Sequence, residues 1–522
     1  MIGKTAVELK QQPIGRFLAQ LRGMNLTLCS EDGRLRVSGP PGVLTSELRQ
    51  EMSDRKAEIL NFLRDVREGT MRPPIEKVSR DQPLPLSFAQ ERLWRNECNA
   101  ASTDNINVIV LDMKGELKPQ CLERSIQEFV RRHEVLRTTF HLMGDVPVQR
   151  IASPRPIELN LLDLSNFPDQ EAEATRFANK EKTDFISLQH GPLIRFSLLR
   201  FGPQHHRLVM KLHHILYDIW SLPILRQELD TLYQAFCSGK ESPLPELTVQ
   251  PADLAVWQRR YFAPGLSAFR SQFAYWRKQL SGNLPVLRLP CERPCPLETA
   301  SIADVLAPFE MSEELSINIR ALTRREGTTL FVTFLTVLKA LINLTTGQND
   351  IILGAYMAKR TAPESDRMMG FFADIEPLRT RVSSELSFVE LLSHVRDTVL
   401  DAQAHEDLPF DLVSEELKKC GQAPPDVRAI FMVETFLAHP YRLRGLEIKL
   451  LRVETRKAMP WRFQMRVRDG GRAFYGRAKF DARVHNPQLV RRMVRNYVRL
   501  LNAVVAKPAM RLCDVEDELG GW

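Results

Sequence analysis

His213-His214-Ile215-Leu216-Tyr217-Asp218-Ile219-Trp220-Ser221 closes an apolar run, Arg207 to Leu212, that follows Gly202-Pro203. Side chains alternate across a strand. Leu208, Met210, Leu212 and His214 would therefore share one face, and Val209, Lys211 and His213 the other. Only one histidine can then point at a given site, and the other has a structural part. After Asp218, residues Ile224, Leu225, Leu229, Leu232 and Phe236 recur at helical spacing. Pro223 is tolerable in a first turn. The stretch reads as a strand-to-helix turn, where side chains are presented to a cleft. One histidine can supply a base, and Asp218 can hold the turn behind it. A core histidine pair with a solvated aspartate fits the same nine residues, so the stretch alone leaves both readings open.

The 522 residues are too many for one ordinary domain and can bury substantial cores. Hydrophobic content of 43% and charged content of 26% describe a soluble globular chain. No apolar run reaches membrane-spanning length and the N-terminus lacks a signal-peptide core, so a cytoplasmic location is expected. The 8 cysteines are scattered. The closest pair, Cys291 and Cys295, has no matching second pair, which argues against a zinc site and for reduced thiols. The net charge of +8 is modest, with basic and acidic residues mixed. That is no nucleic-acid footprint, though a basic surface suits acidic partners.

The first 65 residues form a separate unit. Ile14, Phe17, Leu18 and Leu21 lie on one helical face and Gly23 offers a stop. Asn25 to Cys29 and Arg34 to Ser38 are strand candidates around the turn Glu31-Asp32-Gly33. Thr45 can cap a helix through Met52, and Ser53 precedes another with Ala57, Ile59, Leu60 and Leu63. The order is αββαα. Residues 66–82, with Gly69, Pro73 and Pro74, read as a linker. A second division is expected between 260 and 300, where Pro285, Pro290, Pro294 and Pro296 cluster. Leu330 to Leu344 is apolar nearly all round and should be a buried helix.

The His213-His214-x-x-x-Asp218 pattern resembles the HHxxxDG signature of nonribosomal peptide synthetase condensation domains. Other blocks agree in order. Ser87 to Trp94 is similar to SxAQxRLW, Arg132 to Phe140 to RHExLRTxF, and Pro251 to Gln258 to YxDYAxWQ. Gly370 to Arg379 is a worn GxFVNTxxLR, and His405 to Phe410 is close to HQDxPF. Of the last block, RDxSxxPxFQVMF, only Val427 to Val433 survives. The resemblance spans roughly residues 82 to 510. It implies an α/β (α+β) fold with two chloramphenicol-acetyltransferase-like lobes in a V, a first lobe over 83–262 and a second over 263–512. Residues 513–522 would begin a linker. The N-terminal unit resembles a TubC-like docking domain, chiefly in Leu44 to Arg49 and Arg55 to Leu60. Such a module receives a C-terminal tail from the upstream synthetase, which can add to an exposed hairpin edge. Arg34, Arg36 and Lys56 are the residues expected to meet acids on that tail.

The implied reaction joins an upstream acyl or peptidyl thioester to the amine of a downstream aminoacyl thioester. Both arrive on phosphopantetheine arms of partner carrier proteins, and the chain itself needs no cofactor and no metal. A free α-amine has a pKa of about 7.7–8.0, so the site needs orientation, proton removal and oxyanion support rather than a covalent nucleophile. By resemblance His214 is the catalytic residue, as general base or as an acceptor positioning the amine. His213, Trp220 and Ser221 belong to the motif's frame, and Asp218 would pair with Arg360 to hold the turn.

Three departures stand out. Ile219 replaces the usual glycine, Asp374 replaces an asparagine, and the Arg-Asp-x-Ser end is absent. A β-branched residue at φ > 0 would be an outlier, so either φ stays negative at 219 or the turn is reshaped. Ile219 would also narrow the tunnel. Bulky residues there resemble condensation domains that follow polyketide modules, which implies a polyketide-derived donor in a hybrid synthetase. Both histidines are kept, unlike in heterocyclisation domains and in platform domains that recruit oxygenases. Trp220-Ser221 departs from the epimerisation DGxSW, and the upstream His-rich motif of dual domains is missing. A non-condensing docking scaffold is the alternative. With no adenylation or carrier motif before Trp522, the chain is expected to open a longer synthetase.

Overall fold

A computed structural model describes residues 17, 18, 21, 26–31, 34–38, 44–60, 74–99, 103–292, 304–435, 441–452 and 461–519. Near the N-terminus, β1 (Thr27–Glu31) and β2 (Arg34–Ser38) pair antiparallel, with Cys29 opposite Arg36. The helix α1 (Ser46–Asp54) begins where the Thr45 hydroxyl accepts from the Leu48 amide at 3.2 Å. Phe17, Leu21, Leu26, Leu48, Met52 and Ile59 close a small core of their own. Ile14, Gly23 and the turn Asp32-Gly33 lie outside the described residues.

The larger body has two α/β lobes. The first contains, in chain order, β3 (Leu84–Pro85), α2 (Phe88–Asn99), β4 (Ile106–Gly115), α3 (Pro119–Arg132), β5 (Thr138–Met143), β6 (Val146–Ile151), β7 (Asn160–Asp163), α4 (Gln170–Thr183), β8 (Ile194–Gly202), β9 (His205–His213) and α5 (Ser221–Cys237). There follow α6 (Pro251–Tyr261), α7 (Ser267–Gln279), β10 (Asp304–Glu310), α8 (Glu313–Arg325), α9 (Leu330–Thr346), β11 (Asp350–Met357), β12 (Asp374–Arg381), α10 (Phe388–Ala404), α11 (Phe410–Lys419), β13 (Ala429–Glu434), β14 (Leu446–Arg452), β15 (Phe463–Asp469), β16 (Phe474–Asp481), α12 (Pro487–Ala506) and α13 (Leu512–Leu519). One sheet has the order β14-β4-β9-β8-β7, a second β10-β16-β15-β13-β11-β12, and a third, smaller one β3-β6-β5.

The strand β14 crosses between lobes. It lies late in the chain yet pairs antiparallel with β4, from Leu446 opposite Gly115 to Arg452 opposite Ile109. Met369 and Leu443 likewise enter the first lobe's core. In the other direction, Leu254 and Trp257 of α6 pack into the second lobe's core, while Ala252 and Val256 of the same helix pack on Leu84. A boundary at 262 therefore separates the chain more sharply than the packing does. The expected linker also differs in its second half. Arg80 donates to both carboxylate oxygens of buried Asp253, at 2.7 and 2.9 Å, and to Glu134 at 2.8 Å. These charge-assisted bonds anchor residues around Val78 to Asp81 on the body.

Periodicity places much of the core. Leu208, Met210 and Leu212 of β9 enter the first lobe's main core, and Val209 faces the opposite side with Leu199 and Ala174. Helix α9 is buried from Val332 to Asn343, capped by Thr329 and stopped by Gly347 in the left-handed region at φ 69°. Strand alternation ends one residue earlier than the sequence implies. His214 opens a 3-10 turn, His214–Leu216, so its direction is set by that turn and not by the face of Leu212.

Candidate active site

The two histidines are held by different partners. His213 is fully buried, and its Nδ1 accepts from the Ile215 amide at 3.2 Å. His214 is half-buried, and its amide donates to the Asn105 carbonyl at 2.7 Å. The His214 Nδ1–H donates to the Tyr217 carbonyl at 3.0 Å, because a carbonyl oxygen can only accept. In the neutral ring this leaves Nε2 as the basic nitrogen. The Tyr217 ring, centred 5.4 Å away, and the Phe371 ring, 5.1 Å away and edge-on, hold the imidazole between the lobes.

Asp218 is buried at the centre of a knot that joins them. Its Oδ1 accepts from the Ser221 amide and hydroxyl, both at 2.9 Å, and from Arg360 Nη2 at 3.2 Å. Its Oδ2 accepts from the Phe372 amide at 3.2 Å. The Asp218 amide donates to the Gly370 carbonyl at 3.0 Å, and that carbonyl lies 2.9 Å from the Ser221 hydroxyl, whose single proton it shares with Asp218. Arg360 further donates to the carbonyls of Ser365 and Met368 and stacks over Phe372 at 4.7 Å. A Cβ at residue 370 would fall 2.4 Å from the Phe372 ring, so any larger residue here must displace that ring.

Ile219 and Trp220 are both half-buried, and Trp220 has helical dihedrals, φ −76° and ψ −13°. Lys359 is the one non-glycine residue with positive φ among the described residues, so Ile219 keeps φ negative and the β-branched side chain carries no left-handed strain. Its bulk, not its backbone, is the consequence of the substitution.

A second junction gathers around Asp374. Arg92 of α2 pairs with Asp374 and with Asp411, the latter at 3.1 Å, and donates to the Ala373 carbonyl at 3.1 Å. Lys359, at φ 53°, donates to Glu376 and to the Glu406 carbonyl. Lys359, Asp374 and Glu406 line a small cleft open to solvent, with Ala89, Trp257, Phe372 and Asp407 also in its wall. Burial pushes the Glu376 carboxyl up to about 8, against the pull of Lys359. Burial opposes charge on Lys359 too, but Glu376, Asp374 and Glu406 together outweigh it and raise its pKa. Two cations among four carboxylates leave Lys359 charged and the innermost acid, Glu376, holding a proton.

Several site contacts carried no sequence signal, even where their residues lie in the ordered blocks. Glu228 accepts from His133 Nε2 at 2.8 Å and from Arg132 Nε at 3.0 Å, while His133 Nδ1 accepts from the Met369 amide at 3.4 Å. The Arg-His pair thus positions the segment that carries Phe371. Tyr217, Asn105 and Phe371 act through backbone or ring contacts that no spacing encodes. In the N-terminal unit, Arg36 and Lys56 are exposed, on β2 and on the turn of helix after Arg55. Arg34 opens β2, and its side chain lies outside the described residues. Cys295 also lies outside them. Among the described residues there is no group of three or more His, Cys, Asp or Glu suited to hold a metal, and no single helix is long and apolar enough to cross a membrane.

The condensation-domain profile matches residues 80–516, which include both junctions. The chain belongs to the condensation-domain family. Residues 14–65 match the TubC N-terminal docking domain, so a docking module precedes the condensation domain. The chain is 33% identical over 464 residues to a linear gramicidin synthase protein of Brevibacillus parabrevis, covering 88% of this chain and 6% of that protein. It is 36% identical over 341 residues to the phosphinothricin tripeptide synthetase PhsC of Streptomyces viridochromogenes, covering 65% of this chain and 31% of that protein. The chain thus spans under a tenth of the length of the linear gramicidin synthase proteins it matches. In fold it is similar to the X-domain from teicoplanin biosynthesis, with a TM-score of 0.71 at 21% identity over 85% of this chain and 99% of that one. The condensation domain of the Monacolin K polyketide synthase MokA gives 0.69 at 21% identity, covering 83% and 99%.

Proposed function

We propose that the domain forms an amide between an upstream carrier-bound acyl or peptidyl thioester and the amine of a downstream carrier-bound aminoacyl thioester. The observation that carries this reading is the fixed His214 ring. Its Nδ1–H is committed to the Tyr217 carbonyl, which directs the basic Nε2 to the other side of the ring. There Nε2 accepts a hydrogen bond from the attacking amine and takes its proton as the tetrahedral adduct forms. The adduct collapses to the amide as the C–S bond breaks, and the departing sulfur takes the proton from the His214 imidazolium and leaves as the donor thiol. Asp218 and Arg360 hold the turn and take no part in proton transfer. The phosphopantetheine arms belong to the carrier partners and supply the thioesters, and the chain's residues need only orient and deprotonate. Ile219 narrows the approach to His214 and favours a donor unlike that of glycine-bearing relatives, such as a polyketide-derived acyl group.

The docking module captures the C-terminal peptide of an upstream synthetase protein on its hairpin edge, with Arg34, Arg36 and Lys56 facing acidic residues. Its test is a titration with that peptide. Binding lost on deleting residues 1–65 supports the reading, and binding that survives the deletion contradicts it. The catalytic reading is tested with both carriers loaded and the amide sought by mass. An acyl donor that stays intact after long incubation with the unmodified domain would favour a non-condensing scaffold.

A further inference from the structure

We infer that Glu97 is a positioning residue for the condensing turn, holding His213 through its ring and His214 through the backbone of Asn105. The inference rests on His214 being the condensing residue, and it adds the group that keeps the pair in place.

Glu97 sits in the last turn of α2, and its side chain is 6% exposed. One carboxylate oxygen, Oε2, accepts from the Asn105 side-chain amide. The Asn105 carbonyl in turn accepts from the His214 amide at 2.7 Å. The other oxygen, Oε1, lies 3.7 Å from His213 Nε2, and neither of these two buried atoms has a hydrogen-bond partner among the described residues. A buried acceptor and a buried donor left unmet are costly. Closing the gap to about 3 Å would satisfy both at once.

The proton positions agree with this. His213 Nδ1 accepts from the Ile215 amide, so in the neutral ring the proton is on Nε2 and faces Glu97. His214 has the opposite arrangement, with its proton on Nδ1 and its lone pair on Nε2. Adjacent imidazoles in one turn therefore hold opposite tautomers, each fixed by its own partner. Glu97 thus accepts from Asn105, the residue that holds the His214 backbone, and turns its second oxygen toward the His213 Nε2–H. A glutamine at 97 has only one acceptor atom. Its NH₂ would face either the Asn105 amide or the His213 Nε2–H, and one contact would become donor against donor.

The test uses the full chain with loaded carriers. Glu97→Gln is expected to fold as the unmodified chain does by circular dichroism and melting. Its kcat should fall by about 10- to 100-fold, the scale of a misplaced reacting group, with KM for each carrier within about two-fold. Glu97→Asp, which keeps both acceptors, should recover part of the loss. In the unmodified chain labelled with ¹⁵N-histidine, the imidazole nitrogens should show the proton on Nε2 for His213 and on Nδ1 for His214. A folded Glu97→Gln with kcat within about two-fold of the unmodified chain would overturn the inference. So would a His213 proton on Nδ1, and that nitrogen pattern decides the matter alone if Glu97→Gln does not fold. Undiminished turnover by His214→Ala would instead remove the catalytic reading beneath it, while the His213 tautomer would still report whether Glu97 holds that ring.

Discussion

The two junctions between the lobes use opposite electrostatic designs within a few residues of each other. Around Asp218 one carboxylate meets one guanidinium, and the remaining lone pairs are taken by a hydroxyl and two backbone amides. Around Asp374 two cations face four carboxylates, and the most buried of these keeps its proton. The difference teaches which junction can vary. A matched pair with every acceptor filled is costly to break on one side, so the first fixes the geometry beside His214. The second carries surplus acid, and there pH reaches the lobe contact.

The largest effect should come from the matched junction. Asp218→Ala leaves Arg360 buried without its carboxylate and frees the Ser221 and Phe372 amides. It should cost about 3–5 kcal/mol in chemical denaturation and lower the yield of folded protein. A fully stable Asp218→Ala protein would dissolve the contrast between the junctions.

The next effect belongs to the unmatched junction. Glu376 has a folded pKa of about 8, raised from 4.5 by burial. The folded chain therefore binds more protons than the unfolded chain between those values. Its contribution is full below pH 4.5 and is lost as pH rises through 8, at up to about 1.4 kcal/mol per unit. Denaturation at pH 5 and pH 8 should show this fall, and Glu376→Gln should flatten it. An unchanged slope in the variant would place the titration elsewhere.

Asp374→Asn restores the residue usual in the family and lowers the acid surplus. Asp374 is buried and accepts from Arg92 and the Ile375 amide on one oxygen and from the Phe410 amide on the other, so the asparagine NH₂ would face a donor. Stability at pH 7 should fall by about 1–3 kcal/mol, with Arg92 keeping Asp411, and amide yield should change by no more than about two-fold. The smallest effect is expected from Ile219→Gly. With φ already negative at 219, glycine relieves no strain and loosens the unfolded chain, costing about 0.5–1 kcal/mol. Competition between donors of different width should shift toward the wider one, and an unchanged preference would show that residue 219 does not line the path.

Much of this is legible in the sequence because it depends on local pattern. Alternation in β9, the Thr329 and Gly347 ends of α9 and the Thr45 cap all follow from residues within a few positions of each other. The condensation and docking families are legible because ordered blocks survive substitution. The illegible parts are non-local. β14 pairs with a strand more than three hundred residues earlier. Asn105 works through its carbonyl, and Glu97 reads in sequence as an ordinary acid on a helix end. The direction of His214 escapes for a different reason. A 3-10 turn begins one residue before the alternation would have run out, and no residue type announces it.

The most direct test of the account is amide formation by His214→Ala with both carriers loaded, alongside its melting curve. The account predicts an unchanged melting temperature and a fall in product formation of at least about 100-fold. Turnover close to that of the unmodified domain would contradict it.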